Sequence, residues 1–531
     1  MTIDMKEISV LTSVNGSTAT QPAYAAPIER DKVKPSPYEP PKDLKPGALN
    51  VRTHSLLENN DVKFNREVVW DTSDPKKGPT IQSNRLVIET TNKADDVHVR
   101  KWPGDKLQIT VNGRSHIFDA KGPGDTEQGL LIKVHGGNDK VIVDSDVTNR
   151  LDIEGGDGND YLQAGGGRSR IYGGAGNDFI LLGRGLGYAE GNNGNDIIKG
   201  GPGNAVMYGN DGDDRMYARP GPATKQTYMD GGNGNDVMFA GCGLTVMHGG
   251  NGDDQMVGAD RTTFYTGKGN DRIWNNQPQD LIYAGANDHF QRSQGSTFVE
   301  VKPSDAGKTA YFLHGGKESS PQQAEDFLQR TKDDLEFFNS SPLGQKALAE
   351  MDRLASADKS RINIVPSTTG SFYDFGSTEL DAMSDEEFEN ADQSKFGVII
   401  DGKPGSRANR AQINYDRASI TENVDGTNTG VPVTALFHEM AHAYNGATGT
   451  FLPGKTTEHP TPGESHDILN QEFQVVGIPN GAEAADLDGD PSTKPTNINP
   501  KPFTENDLNQ EMGKPLRQFY KFSKSAQGDG N

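Results

Sequence analysis

The chain has a single cysteine, Cys242, in 531 residues. That excludes an internal disulfide framework and any zinc cluster built on thiolates. Apolar residues are scarce, at 32%. One conventional core across the whole length is therefore not expected; two to four domains are. No apolar run approaches the ~18 residues that a membrane helix needs. No basic segment followed by an apolar one opens the chain, so no secretory signal peptide is legible. Positive charge is also short, with 53 Lys and Arg against 75 Asp and Glu, a net charge of −22. Nucleic acids and anionic membranes are bound through basic faces, so neither is an expected partner. What the chain has in excess is glycine, 64 residues. These follow no three-residue period, which excludes collagen.

Residues 1–60 carry Ser/Thr clusters and then "KVKPSPYEPPKDLKPG", with neither helical nor strand period. They are expected to be a disordered tail, either merely solvated or a non-cleaved export signal of the type III kind.

The glycines are phased. "GGDGND" begins at Gly155, "GGAGND" at Gly173, "GNNGND" at Gly191, "GNDGDD" at Gly209, "GGNGND" at Gly231, "GGNGDD" at Gly249 and "GKGND" at Gly267. Their final aspartates are Asp160, Asp178, Asp196, Asp214, Asp236, Asp254 and Asp271, spaced 18, 18, 18, 22, 18 and 17 residues apart. A degenerate copy ends at Asp288, and an early "GGND" ends at Asp139. Eighteen is two nonapeptides, and the alternate ones, such as "AGGGRSRIY" and "GGPGNAVMY", lack the Asp. The eighth residue of each nonapeptide is usually apolar: Leu162, Ile171, Ile180, Ile198, Met207, Met216, Met238, Met247, Met256 and Ile273. This pattern predicts a parallel β-roll or β-helix with two nonapeptides per coil and a thin apolar interior. It resembles the calcium-binding RTX, or hemolysin-type, repeat over about residues 135–290. The resemblance implies calcium held between stacked coils by Asp and carbonyl oxygens. Only alternate turns carry Asp, so calcium is expected along one edge. A metal-free Gly-rich solenoid is the bland alternative.

Near residue 318 the glycines thin and helical period appears. Ser320-Pro321 and Ser341-Pro342 read as starts of two packing helices. The chemistry lies in "GVPVTALFHEMAHAYNG". Val433, Leu436, Phe437, Met440 and Tyr444 give a helix its apolar face, with a stop expected at Asn445-Gly446. His438 and His442, four apart, share one face and can ligate one zinc ion. Glu439 between them can take a proton from a water activated by the metal. A longer metzincin pattern is excluded, because it needs Gly and His where Asn445 and Thr448 stand. Glu472, in "ILNQEFQVVGIP", is the favoured third ligand, with Glu464, His466, Asp467 and His459 as rivals. "DLDGDPSTKPTN" starts like an EF-hand loop, but Pro491 and Asn497 break the pattern, and it is read as a solvated loop.

"TALFHEMAHAYNGATGT", "NQEFQVVG" and "PFTENDLNQEMGKPLRQFY" together resemble the NleD-like zinc metallopeptidases, effectors of type III secretion. The resemblance covers about residues 320–522. Gln471 and Asn509 depart from the family pattern, whereas Glu472, Glu505, Asn506, Glu511, Arg517 and Tyr520 match it. The resemblance implies proteolysis of host proteins and makes Tyr520 and Arg517 candidates for oxyanion stabilisation.

The expected architecture is multidomain: a parallel RTX-like β-roll followed by an α+β zincin-like metallopeptidase. Its divisions are a tail (1–60), a β-rich cap or leading coils (61–150), the roll (151–310) and the peptidase (311–531). The expected function is a secreted zinc-dependent endopeptidase with a calcium-binding β-roll N-terminal to the catalytic domain, an effector and virulence factor delivered into a host cell. It would act as a monomer on a protein substrate, such as a host signalling protein, with Glu439 and Tyr520 catalytic. The alternative is an inactive calcium-binding adhesive or structural module.

Overall fold

The computed structural model describes residues 36–74, 76–123, 126–316, 320–358, 360–422 and 428–521. Residues 1–35 of the expected tail lie outside these. The remainder of that expectation is corrected: Leu49–Glu58 is a strand, paired antiparallel with Lys63–Asp71. It is a mostly exposed edge strand held by backbone pairing, so it leaves little hydropathy signal in the sequence.

Two sheets wind into a parallel solenoid, one of 13 strands and one of 12. Each coil contributes a longer strand to the first sheet, such as Ala205–Asp211, and a three-residue strand to the second, such as Arg215–Tyr217. Antiparallel strands at Leu49–Glu89 and Asp96–Asp119 extend the two sheets at their N-terminal ends. The eighth-position residues stack in register, Leu162 on Ile180 on Ile198 on Met216 on Met238 on Met256 on Ile273. All are at most 2% exposed. Glycine is indispensable where coils touch. Gly176 has φ +127°, and a Cβ there would collide with the Gly158 carbonyl.

The segment after Asp288 divides between the two parts of the chain. Thr297–Glu300 ends the 13-stranded sheet, whereas Tyr311–Leu313 crosses to a four-stranded sheet in the C-terminal domain. That sheet runs in the order Tyr311–Leu313, Arg361–Pro366, Arg410–Tyr415, Phe372–Asp374. The last is an antiparallel edge. Among the described residues seven α-helices accompany it: α1 (Pro321–Ser340), α2 (Pro342–Asp358), α3 (Thr378–Asp381), α4 (Asp385–Glu389), α5 (Pro432–Thr448), α6 (Asn470–Val476) and α7 (Glu505–Glu511). Ser320 and Gln323 form a capping box at the start of α1, as Ser-Pro at that point suggested.

The two parts share one core. On the outward face of the 13-stranded sheet, one row runs Tyr172, Glu190, Tyr208, Asp230, His248, Tyr265, Tyr283. Beside it lie Tyr188, Val206, Tyr228, Val246 and Thr263. A roll in water would show polar groups there. Instead α1 covers the face, and Phe337 packs edge-on against Tyr228, His248 and Tyr265, with centroids 4.8–6.0 Å apart. Two arginine–carboxylate pairs lie in this seam. Arg330 lies 3.1 Å over the Tyr208 ring and 2.7 Å from Asp334, and Arg417 is 2.6 Å from Glu190. His248 bridges Asp230 (3.0 Å) and Ser340 (3.1 Å), sealed from solvent.

Phe337 is fully buried, so Phe337→Ala should cost about 3–5 kcal/mol. Denaturant unfolding of the full chain checks this, and a loss below about 1 kcal/mol would contradict the shared core.

Candidate active site

Helix α5 begins with Pro432 at its first position, after the extended residue Val431. Nearly every side is apolar or covered, so the helix is buried along almost its whole length. It runs past the stop expected at Asn445-Gly446 and ends at Gly449, whose φ is +72°. Gly446 is needed inside the helix for a different reason: a Cβ there would strike the Tyr373 hydroxyl. The Gly449 N–H donates to the Asn445 carbonyl and closes the helix.

His438 and His442 project from one face with ring centroids 4.9 Å apart. Glu472, in the first turn of α6, reaches both: its Oε2 lies 3.3 Å from His438 Nε2 and 3.2 Å from His442 Nε2. Among the described residues these three form the one group of three or more His, Cys, Asp or Glu whose ligand atoms all lie within 4.8 Å of one another. The rivals Glu464, His466, Asp467 and His459 stand outside it. The His459 ring instead meets the Glu464 carbonyl at 3.2 Å, and Asp467 accepts from the Thr457 hydroxyl. The Asp486–Asp490 run is an exposed loop closed by its own Asx bonds.

The next layer holds the imidazoles in place. The His438 Nδ1–H donates to Glu505 Oε2 at 3.2 Å, which leaves Nε2 facing Glu472. Arg517 donates to the same Glu505 oxygen at 2.6 Å. His442 packs between Tyr373 and Phe451, with centroids 6.4 and 6.1 Å away. Tyr520 sits with its ring 6.2 Å from His438. The sequence pattern marked Glu505 without giving it a task. Its signal was an acid at the start of a helix, "TEN", and only tertiary contact reveals what it touches.

The electrostatics describe a cage short of positive charge. Burial disfavours an imidazolium at His438, but its bonds to Glu472 and Glu505 outweigh this and push it up to about 10. Burial opposes ionisation of Glu472, yet His442 and His438 hold it well below the usual range. Glu505 resists burial through Arg517 and His438 and falls to about 2. Two nitrogens and a carboxylate that stays ionised are the donor set of a borderline-soft divalent cation such as zinc. Glu439, buried beside them, is raised by burial and by the neighbouring carboxylates. Tyr520 is held protonated by burial and by the Glu472 charge.

Residues 316–520 match the Peptidase M91 family, described as an effector protein. Residues 154–186 and 190–222 match the RTX calcium-binding nonapeptide repeat, in four copies. No curated protein and no solved structure matches the chain. The repeat match thus precedes the M91 match, in the order expected, and the chain joins a roll similar to calcium-binding RTX repeats to a C-terminal domain similar to peptidase effectors.

All seven repeat aspartates lie on one edge of that roll. Each Oδ1 accepts the N–H of the aspartate one coil back, from Asp139 N–H to Asp160 through Asp254 N–H to Asp271, at 2.7–2.8 Å. Asp139 and Asp288 extend the ladder at its two ends. The second oxygen is buried without a hydrogen-bond partner at Asp139, Asp160, Asp178, Asp196, Asp214, Asp236, Asp254 and Asp271. The carbonyl of the next coil faces the same space: a Cβ on Gly173 would collide with both Asp178 Oδ2 and the Gly191 oxygen. Orphaned carboxylate and carbonyl oxygens fit a hard cation such as calcium. On the opposite edge the turns of the middle coils lack Asp, which appears toward the ends as Asp144, Asp146, Asp260 and Asp280; the last two accept the Gly243 and Thr262 N–H groups at 3.0 and 2.7 Å. There the buried Lys225 ammonium donates to the Gly201, Ala218 and Arg219 carbonyls.

Burial raises Asp139 and Asp196 to about 7 and Asp178, Asp214, Asp236, Asp254 and Asp271 to about 8, aided at all but Asp196 by neighbouring aspartates. The folded roll therefore keeps protons that the unfolded chain releases near pH ~4. In chelator, stability present below that pH should be lost progressively as pH rises toward about 8. Melting curves from pH ~5 to ~8.5 check the sign; flat or rising stability would contradict it.

Proposed function

We propose that the chain is a secreted zinc endopeptidase that cleaves host proteins. In this reading a calcium-bound roll stands N-terminal to the catalytic domain, and an effector of this kind is delivered into a host cell. The observation that carries the reading is the convergence of His438, His442 and Glu472 on one point, with Glu439 beside it. Those three residues would hold the zinc. A bound zinc supplies Lewis acidity toward water and the scissile carbonyl.

The remaining work belongs to the chain. Glu439, raised in its buried setting, is the general base that takes the proton of the attacking water and passes it to the leaving amine. Tyr520, held protonated, donates to the developing oxyanion. Arg517 acts on Glu505 rather than on substrate, and Glu505 fixes the tautomer of His438. The edge strand Phe372–Asp374 carries Tyr373 against His442 and offers unpaired backbone groups to an extended peptide. On the roll, Asp160, Asp178, Asp196, Asp214, Asp236, Asp254 and Asp271 would hold calcium through their orphaned oxygens.

Glu439→Gln should reduce cleavage about 10²–10⁴-fold while zinc content stays unchanged. New N-termini are compared after host-cell lysate is incubated with wild type and variant. Equal cleavage by the two would sink the proposal.

A further inference from the structure

Helix α7 has one end in the metal cage and the other in the roll. At its first residue, Glu505 accepts the His438 Nδ1–H at 3.2 Å. At its last, Glu511 is gripped by the roll: the Tyr265 hydroxyl donates to its Oε1 at 3.3 Å and the Tyr283 hydroxyl to its carbonyl at 3.1 Å. One residue further, Thr263 donates to the Met512 carbonyl at 2.9 Å. The other Glu511 oxygen accepts the Leu343 N–H at 2.9 Å, which ties the same point to α2. Seven residues of helix rise only ~9–10 Å, too short to absorb a shift at one end by bending.

Helix α5 is tied to the roll in the same way. Thr429, two residues before its N-cap, receives a hydrogen bond from Asn204 at 2.9 Å and donates its N–H to Gln226 at 3.2 Å. Lys514, just beyond α7, donates to the Thr429 carbonyl at 2.7 Å. Both helices that define His438 are thus anchored on one sheet face of the roll.

We propose that Thr263, Tyr265 and Tyr283 of the roll are positioning residues for the peptidase: they fix α7 so that Glu505 holds the His438 imidazole toward the metal. This rests on the zinc reading above. The roll is then a working part of the active site and not only a carrier. The hydroxyls touch neither substrate nor metal; they act through Glu511, α7 and Glu505.

The test uses the full chain carrying Tyr265→Phe with Tyr283→Phe, which keeps both rings and removes both hydroxyls. Release of zinc to a colorimetric chelator should quicken about threefold to tenfold, at or below the ~10–100-fold cost of losing a direct partner of a zinc-bound histidine. On a peptide substrate kcat should fall while KM holds. Tyr208→Phe is the control, because that buried hydroxyl on the same face has no hydrogen-bond partner among the described residues; its zinc release should match wild type. Thr263→Val repeats the test from the third contact and decides it if the double variant does not fold. Zinc release unchanged in a folded variant would overturn the positioning role and leave the zinc reading standing. No zinc uptake by wild type would overturn both.

Discussion

Buried anionic oxygen without enough protein cations is the constraint on which the rest of this structure depends. An ionised carboxylate taken out of water costs several kcal/mol unless a positive partner or hydrogen bonds replace the lost hydration. The chain meets this cost in three places. In the seam, Asp334 and Glu190 have Arg330 and Arg417 within 2.7 Å. In the candidate cage, Glu505 has Arg517, but among the described residues Glu472 has no Lys or Arg in ion-pair reach and faces the two histidines and the Tyr520 hydroxyl. Along the roll, the repeat aspartates turn one oxygen to a backbone N–H and leave the other with nothing among the described residues. In the proposed reading, metal cations would resolve the second and third cases as arginines resolve the first.

The same constraint shapes the architecture. A parallel solenoid must bury its interior, and here its outer sheet face is also buried, so its tyrosines and charges are sealed by α1 and its neighbours. Aromatic contacts run unbroken from Tyr228 and Tyr265 to Phe337, Phe338 and Phe437, the residue before His438. Rigidity built into stacked coils is thereby passed to the helix that bears the histidines. The active site is set into a scaffold, as precise constellations require.

Much of this was legible in residues with a strict period. The 18-residue phase placed the aspartates on one edge and Leu162, Met216 and Met256 in the interior, because coil geometry repeats with the sequence. The four-residue spacing of His438 and His442 placed both on one face of α5. What periodicity does not encode was missed. The outward tyrosines recur in "IYGG", "VMYG" and "FYTG", yet a roll read alone gives them no neighbour. Glu505 meets His438 across 67 residues. The edge strand Leu49–Glu58 has almost no buried face, and Gly446 ends no helix because Tyr373, far away in sequence, occupies the space its side chain would fill.

Metal content of the full chain, purified without added chelator and measured by plasma mass spectrometry, tests the central claim most directly. The account predicts one zinc per chain together with several calcium ions, zinc falling to background in a His438→Ala, Glu472→Ala variant while calcium stays. A folded wild-type chain carrying neither metal would contradict it.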